Sequence, residues 1–390
     1  MKILFVGFNA KYINPTNQLI HRMLKLFAKV DLYGPGFVSD EVLDRGLSAF
    51  SEARGPFDFI ITTTQLAIEA NPEETENFYR KYSLLQWGHS SIRSFMTDVK
   101  KYMGRSTVPK LVFVMDLDTH GVSQKTLDSL INFSDYIVTW GNGFSRKNSE
   151  LPYLELESDY KRKAKLVPLG LWNQFCEDHR ARFLNLGHFV GLHEFDFSPL
   201  NARRYHVSVA GQLYYARNKA LRDLRRSDRL CVGSTGYRLA FSLADKLGFS
   251  PYSKLISQTI YRLLFKNLLS TSQISMTDGA AYDMVIRKFF EIPAAGAVLL
   301  ARPCAGFEAL GFRDAESAII LNENDPVGQV LALLKSPDHL QSIANKGREL
   351  VWQHHSITAR AQQMKSALDR IIGGSFKGSS WRAGQFILTD

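Results

Sequence analysis

Residues 276–301, MTDGAAYDMVIRKFFEIPAAGAVLLA, hold the densest chemistry in the chain. An apolar run ends at Met276, and Thr277-Asp278-Gly279-Ala280 form a polar loop that leads into a predicted helix. Gly279 lets backbone amides come close to a ligand, and a helix N-terminus attracts an anion. Asp283 and Glu291 stand eight residues apart. On one continuous helix that is about 12 Å, with both carboxylates on broadly the same side. Two acids so placed can grip hydroxyls at the two ends of a sugar nucleotide, and Arg287 between them can pair with phosphate. A helix entering a core strand, with solvated charges at its ends, has the same pattern. Spacing alone leaves both readings open.

A second constellation follows the apolar run VFVM, where Asp116-Leu117-Asp118-Thr119-His120 would project from a strand end. Carboxylates so spaced suit magnesium or manganese. Asp116 capping a loop beside a partly buried His120 explains the residues equally well. Basic residues form two clusters. Residues 201–230 hold eight Lys/Arg, among them Arg217 and Lys219, against two Asp, and Lys161, Arg162, Lys163 and Lys165 form the other. The whole chain of 390 residues carries +10. That balance favours anionic partners, whether nucleotide phosphates, a nucleic acid or an acidic membrane surface. A solvated basic face is the plain alternative. Tyr214 and Tyr215 beside Arg217 hint at base stacking, but no nucleic-acid module accompanies them, so no nucleic acid is expected.

Several classes drop out. Gly7-Phe8-Asn9 lacks G-x-G-x-x-G, so no dinucleotide cofactor is expected, and no Walker motif or G-x-S-x-G elbow occurs. Cys176, Cys231 and Cys304 are far apart, which argues against a disulfide framework or a thiolate metal site and fits a reducing cytoplasm. Adjacent His354 and His355 point to different helix faces and make a poor metal pair. No run of about 20 apolar residues exists to span a bilayer. The short run before Asn9 reads as a buried first strand and not as a signal peptide.

The elements that must carry these residues alternate between apolar runs and helical periods, the signature of parallel sheets flanked by helices. Strands are expected at Ile3–Val6, Val30–Tyr33, Asp58–Thr62, Leu111–Met115, Tyr136–Trp140 and Ala164–Val167. A second series is expected at Val207–Ala210, Leu230–Val232, Gln273–Met276, Ala297–Ala301 and Ala318–Leu321. Residues 171–203 read as an irregular connection with room for a short helix, and SFKGSSWRAGQFILTD as a loosely held tail. The fold class is therefore α/β, with two Rossmann-like domains facing across a cleft. The boundaries are 1–175 for the first domain, 204–355 for the second, and 356–390 for a helix and tail that could pack back on the first domain. Ligands of such sheets lie beyond the carboxyl ends of the strands.

RKFFEIPAAGAVLLA resembles the signature of GT-B-fold glycosyltransferases with an E-x7-E motif, in particular the CgeB-like, "glycosyl transferases group 1" branch. The resemblance continues through FEALGFRDAESAIILNENDPVGQVLALLKSPDHLQSIANKGRELVWQHHSITAR, where His355-Ser356 and Arg360 match an H-[ST]-x-x-x-R-like helix start. It implies a glycosyltransferase moving a sugar from a nucleotide-activated donor to an acceptor hydroxyl, with domain 1–175 binding the acceptor and domain 204–355 the nucleotide sugar, with retention and without a metal or other cofactor. Glu291 matches the acid that holds the nucleotide ribose, and Asp283 falls where the acid contacting the transferred sugar belongs, one methylene shorter. Gly279 and Ala280 match the loop facing the donor's phosphates or sugar. Arg217 and Lys219, after Gly211, fall near the basic pair that neutralises the diphosphate, without the clean R-x4-K spacing. His120 or Asp118 would meet the acceptor hydroxyl or the donor sugar. The resemblance further implies a role in bacterial surface glycan or glycoconjugate synthesis, with a glycan, lipid-linked or protein acceptor. The enzyme would be cytoplasmic, with peripheral contact at the inner membrane face. A sugar-nucleotide epimerase, a phosphorolytic enzyme and a non-catalytic module binding a nucleotide or anionic polymer remain as alternatives.

Overall fold

The computed structural model describes residues 1–9, 15–67, 89–114, 122–141, 143–144, 170–211, 213, 215–234, 237, 239, 242–243, 246–247, 255–279 and 283–390. The first sheet has β1 (Lys2–Val6), β2 (Lys29–Tyr33), β3 (Phe59–Thr63), β4 (Lys110–Phe113), β5 (Tyr136–Thr139) and β6 (Phe183–Asn185). Its order is β2-β1-β3-β4-β5-β6, and every pair is parallel. β3 is buried along its whole length, as a strand covered on both faces must be.

The second sheet holds β7 (Tyr205–Val209), β8 (Ser272–Thr277), β9 (Val298–Ala301) and β10 (Ile319–Ile320), ordered β10-β9-β8-β7, again all parallel. The strand expected at Leu230–Val232 is reduced to a single parallel bridge, Val207 to Val232, on the open edge of β7. The bridge still fixes topology. The chain leaves β7 toward one side and returns as β8 on the other, so the strand order reverses between them. Ligands of open α/β sheets bind at such a reversal, beyond the carboxyl ends of the two strands.

Two expectations about the connecting parts fail. Residues 171–203 hold the short helix the sequence allows, Gly170–Asp178, but also the sixth strand of the first sheet, so they are not an irregular connection. Three residues, FLN, are too few to show periodicity. The tail is not loose. It forms an antiparallel hairpin of β11 (Ser379–Arg382) and β12 (Gln385–Leu388). Its two turn residues, Ala383 (φ 47°) and Gly384 (φ 85°), both take positive φ, the type I′ geometry that matches strand twist. Trp381 is buried and donates through Nε1 to the Asn185 carbonyl at 2.8 Å, while Ser379 Oγ accepts from the Asn185 N–H at 2.8 Å. The hairpin is thereby pinned to β6. The turn lacks the Asn-Gly or Asp-Gly signal that would announce it. The expected strand at Ala164–Val167 lies outside the described residues.

The last long helix, Ile357–Ile372, crosses back onto the first sheet. Ile357, Ala361, Met364, Leu368 and Ile371 recur at three- and four-residue intervals and join one core with Ile3, Phe5, Leu19 and Met23. At the crossing, Val190 and Ser356 form a parallel bridge. Arg360 is fully buried there. It donates to the carbonyls of Gly187, His188 and His354, to Gln363 Oε1 and to His355 Nδ1, and lies 4.6 Å from the Trp381 ring centroid. His355 accepts at Nδ1, so its Nε2 donates to the Leu310 carbonyl at 2.8 Å. The ring is neutral, held well below the ordinary histidine range by burial and then by Arg360. The His355–Arg360 pair thus ties both lobes to the returning helix.

Candidate donor site at the ends of β7 and β8

Beyond β7 the chain reaches Gly211, buried and at φ 83°, a conformation that favours glycine. A side chain there would also overlap the Lys288 stem. The helix Tyr215–Arg225 follows and presents its N-terminus to the same loop. Arg217 turns inward, fully buried, and pairs with Asp278 in the loop after β8. The guanidinium reaches Asp278 Oδ1 at 2.6 Å and the Asp278 carbonyl at 3.0 Å. Lys219 is two positions on, faces outward and donates to the Glu323 carbonyl at 3.1 Å. Side chains two apart on a helix do not share a face. The expected Arg217–Lys219 pair is therefore not brought together.

The structure corrects the premise of one continuous helix from Asp283 to Glu291. The helix is short, Lys288–Ala294, and residues 283–287 precede it as irregular chain. Asp283, half-buried, sits at φ 47°, a left-handed conformation that Asp tolerates. Met284 bridges to Ala305, folding this loop onto the one after β9. Gly279 is needed for that fold. A Cβ there would lie 2.8 Å from Cys304 Cβ and 3.0 Å from the Met284 backbone nitrogen and oxygen. Its close approach is to the protein's own loops. The Cys304 thiol beside it is pushed well up, first by burial and then by Asp283 and Asp278.

The short helix explains which side chains are left for chemistry. Phe289, Phe290, Ile292, Pro293 and Ala294 are buried in the core. Lys288 and Glu291, three apart, share the remaining face. Arg287, just before the helix, is held by carboxylates on two sides. It pairs with Glu291 and donates to both oxygens of Glu194 at 2.6 Å. Glu194 comes from the connection between the lobes, and its Oε2 also accepts from the Gly191 N–H at 2.6 Å. Burial pushes the Glu291 carboxyl up, Arg287 opposes that shift, and Glu194 adds to it. Arg287, expected to meet phosphate, thus has its charge already matched within the protein.

Lys288 is the cation that sequence reasoning missed. It is half-buried against Gly211, with Arg217, Arg287, Asp278 and Glu291 around it, and its ammonium makes no hydrogen bond or ion pair with the described residues. Its pKa is pushed down to about 8, first by burial and next by Arg217, with Glu291 and Asp278 pulling the other way. The only signal in the sequence was its place three residues before Glu291.

His188, also missed, stands on the first lobe's side. Its ring stacks on Trp140 at 5.8 Å and 13°. Nδ1 is buried without a hydrogen-bond partner, and the pKa is pushed down to about 3 by burial, then by Arg287, Arg360 and Lys288. The ring is neutral across physiological pH. The two lobes approach here: a Cβ on Gly141 would lie 2.5 Å from the Val285 carbonyl, and one on Gly306 2.5 Å from the Phe144 ring. The remaining expected site residues, Asp118, His120 and Ala280, lie outside the described residues.

Residues 215–366 match the family described as "Glycosyl transferase-like". No curated protein matches the chain. Among solved structures, Anabaena Alr3699/HepE in complex with UDP and glucose is similar with a TM-score of 0.53 at 13% identity, over 95% of this chain and 99% of that one. Sucrose-phosphate synthase from Thermosynechococcus elongatus gives 0.51 at 11% identity, over 96% and 100%. At such identities the likeness speaks for the fold. Residues 215–366 are therefore similar to a glycosyl transferase-like family, and the chain has the two-lobed GT-B fold.

Proposed function

We propose that the chain transfers a sugar from a nucleotide-activated donor to an acceptor hydroxyl, with the donor bound at the ends of β7 and β8. The observation that carries this is the Lys288 ammonium, unpaired among the described residues and held against Gly211 where the strand order reverses. Breaking the sugar–phosphate bond leaves negative charge on the departing diphosphate. Lys288 and the N-terminus of helix Tyr215–Arg225 meet that charge with groups fixed in advance, which is how such charge is best stabilised. Arg217 locks the loop through Asp278 and adds its field to theirs. In this reading Glu291 accepts from the ribose hydroxyls and Asp283 faces the transferred sugar. No metal is called for, and the anomeric configuration is retained. The acceptor enters from the first lobe, where Asp118 and His120 are its expected partners. The product belongs to surface glycan or glycoconjugate synthesis.

The Anabaena protein has been captured with UDP-glucose, so that donor is the first to test. A ligand that binds only the folded chain raises its melting temperature. Thermal shifts across nucleoside diphosphates and their sugars should single out one nucleotide, and product analysis with and without an acceptor should then show transfer. No shift with any nucleotide would refute the donor site. Binding without donor turnover would leave a non-catalytic module.

A further inference from the structure

A separate surface on the second lobe calls for a partner. Among the described residues, five of the twelve exposed large apolar side chains lie between positions 239 and 263: Leu239 (71% exposed), Leu243 (57%), Leu247 (65%), Ile260 (40%) and Leu263 (64%). Leu239, Leu243 and Leu247 recur every fourth residue, the spacing of one helical face. Tyr237 lies 6.2 Å from Tyr261 and 6.3 Å from Phe265, which holds this stretch beside the helix Leu255–Ser270. Isolated surface leucines are ordinary, but a cluster of this kind marks an interaction site.

The charge on the same stretch selects the occupant. Residues 234–270 contain five Lys/Arg and one acid, Asp245. Lys246 and Arg262 are exposed beside the leucines. Lys266 donates to the His193 carbonyl at 3.0 Å and anchors the helix to the interlobe connection. Apolar side chains beside basic ones, where no helix among the described residues is long and apolar enough to cross a bilayer, are what an interfacial surface presents to anionic headgroups. The basic cluster at 201–230 is a weaker candidate, because two of its members, Arg203 and Arg217, are buried and paired inside the fold.

We propose that the face carrying Leu239, Leu243, Leu247, Ile260 and Leu263 rests on an anionic lipid surface, with Lys246 and Arg262 against the headgroups. This stands whether or not the donor reading does.

The test is flotation of the full chain with phosphatidylcholine vesicles, with and without phosphatidylglycerol. Binding is expected only to the anionic vesicles and should weaken with salt. Lys246→Gln and Arg262→Gln should each lower the partition coefficient about fivefold. Leu239→Gln/Leu243→Gln/Leu263→Gln together should lower it at least tenfold. The nucleotide-induced thermal shift should be unchanged in all of them, which separates failure here from failure of the donor site. Leu263→Trp gives a second readout that needs no loss of function, since its fluorescence should shift blue and be quenched by brominated lipid. The proposal is overturned by equal flotation on neutral vesicles or none on anionic ones. It is equally overturned by variants that float like the parent, by Leu263→Trp fluorescence blind to lipid, or by a dimer in size exclusion that the leucine variants dissolve.

Discussion

Replacing Lys288 by Met removes the ammonium while keeping the stem packed against Gly211, and it should move stability and affinity in opposite directions. Burial and Arg217 bring the ammonium from the ordinary 10.5 to about 8. That difference means the folded chain disfavours the charged form by up to about 3 kcal/mol. Below pH 8 both folded and unfolded chains carry the proton, so the whole cost is present. Between 8 and 10.5 only the unfolded chain carries it, and stability rises with pH. Lys288→Met should therefore be more stable than the parent at pH 7 by up to about 3 kcal/mol, an advantage that fades as pH climbs toward 10.5. Donor binding should suffer in exchange. A hydrogen bond to a charged group contributes about 1.5–3 kcal/mol, so nucleoside diphosphate affinity should fall roughly 10- to 150-fold. In the parent, affinity should decline as pH rises above about 8, while the variant's profile stays flat over that range. Calorimetric titration and denaturant melts at several pH values measure both effects. A variant that binds within twofold of the parent, with the same pH profile, would refute the assignment of Lys288 to the diphosphate.

Three further outcomes follow from the same contacts. Glu291→Ala should lower donor affinity at least tenfold while the fold survives, because Arg287 keeps both oxygens of Glu194; unchanged nucleotide binding in the thermal-shift assay would defeat the ribose assignment. Arg360→Met should cost about 3–5 kcal/mol in denaturant melts, since the carbonyls of Gly187, His188 and His354 lose their donor, and Arg360→Lys should recover less than half because an ammonium cannot fork to all of them. Gly211→Ala should lose about 1–3 kcal/mol from its positive φ and also weaken donor binding by displacing Lys288, so a drop in stability with unchanged affinity would separate Gly211 from the site.

The sheets were legible because buried parallel strands are apolar on both faces. ILFV, FIITT and VLLA could hardly be anything else, and their observed bounds differ from expectation by a residue or so. What escaped the sequence was set by contacts between distant residues. Residues 283–287 read as helix until Ala305 is known to bridge to Met284 and Cys304 to press against Gly279. The hairpin at Ser379–Leu388 needs Asn185 to hold it, nearly two hundred positions away. Lys288 looked like one more base before an apolar run, because its value depends on Gly211 lying beside it in space. Asp283 and Glu291 were found from a motif, but the helical geometry first assigned to them does not exist.

The charges at the site also suggest how a donor is told from simpler anions. Arg217 is matched by Asp278, Arg287 faces Glu194 and Glu291, and Lys288 is the remaining cation, so the formal charges of these six groups cancel. Net charge therefore does little to draw in an anion. The charges are instead segregated. The cation and the N-terminus of helix Tyr215–Arg225 meet at Gly211, whereas the carboxylates of Glu194 and Glu291 gather on the connection's side of Arg287. A ligand that gains from both ends must be anionic in one part and rich in hydroxyls in another, as a nucleotide sugar is. Inorganic diphosphate engages only the first end and meets the carboxylates' repulsion at the second. It should bind at least a hundredfold more weakly than the preferred nucleoside diphosphate, a gap of about 3 kcal/mol that the ribose contacts supply. Equal binding of the two in a calorimetric titration would show that the carboxylate end takes no part in recognition.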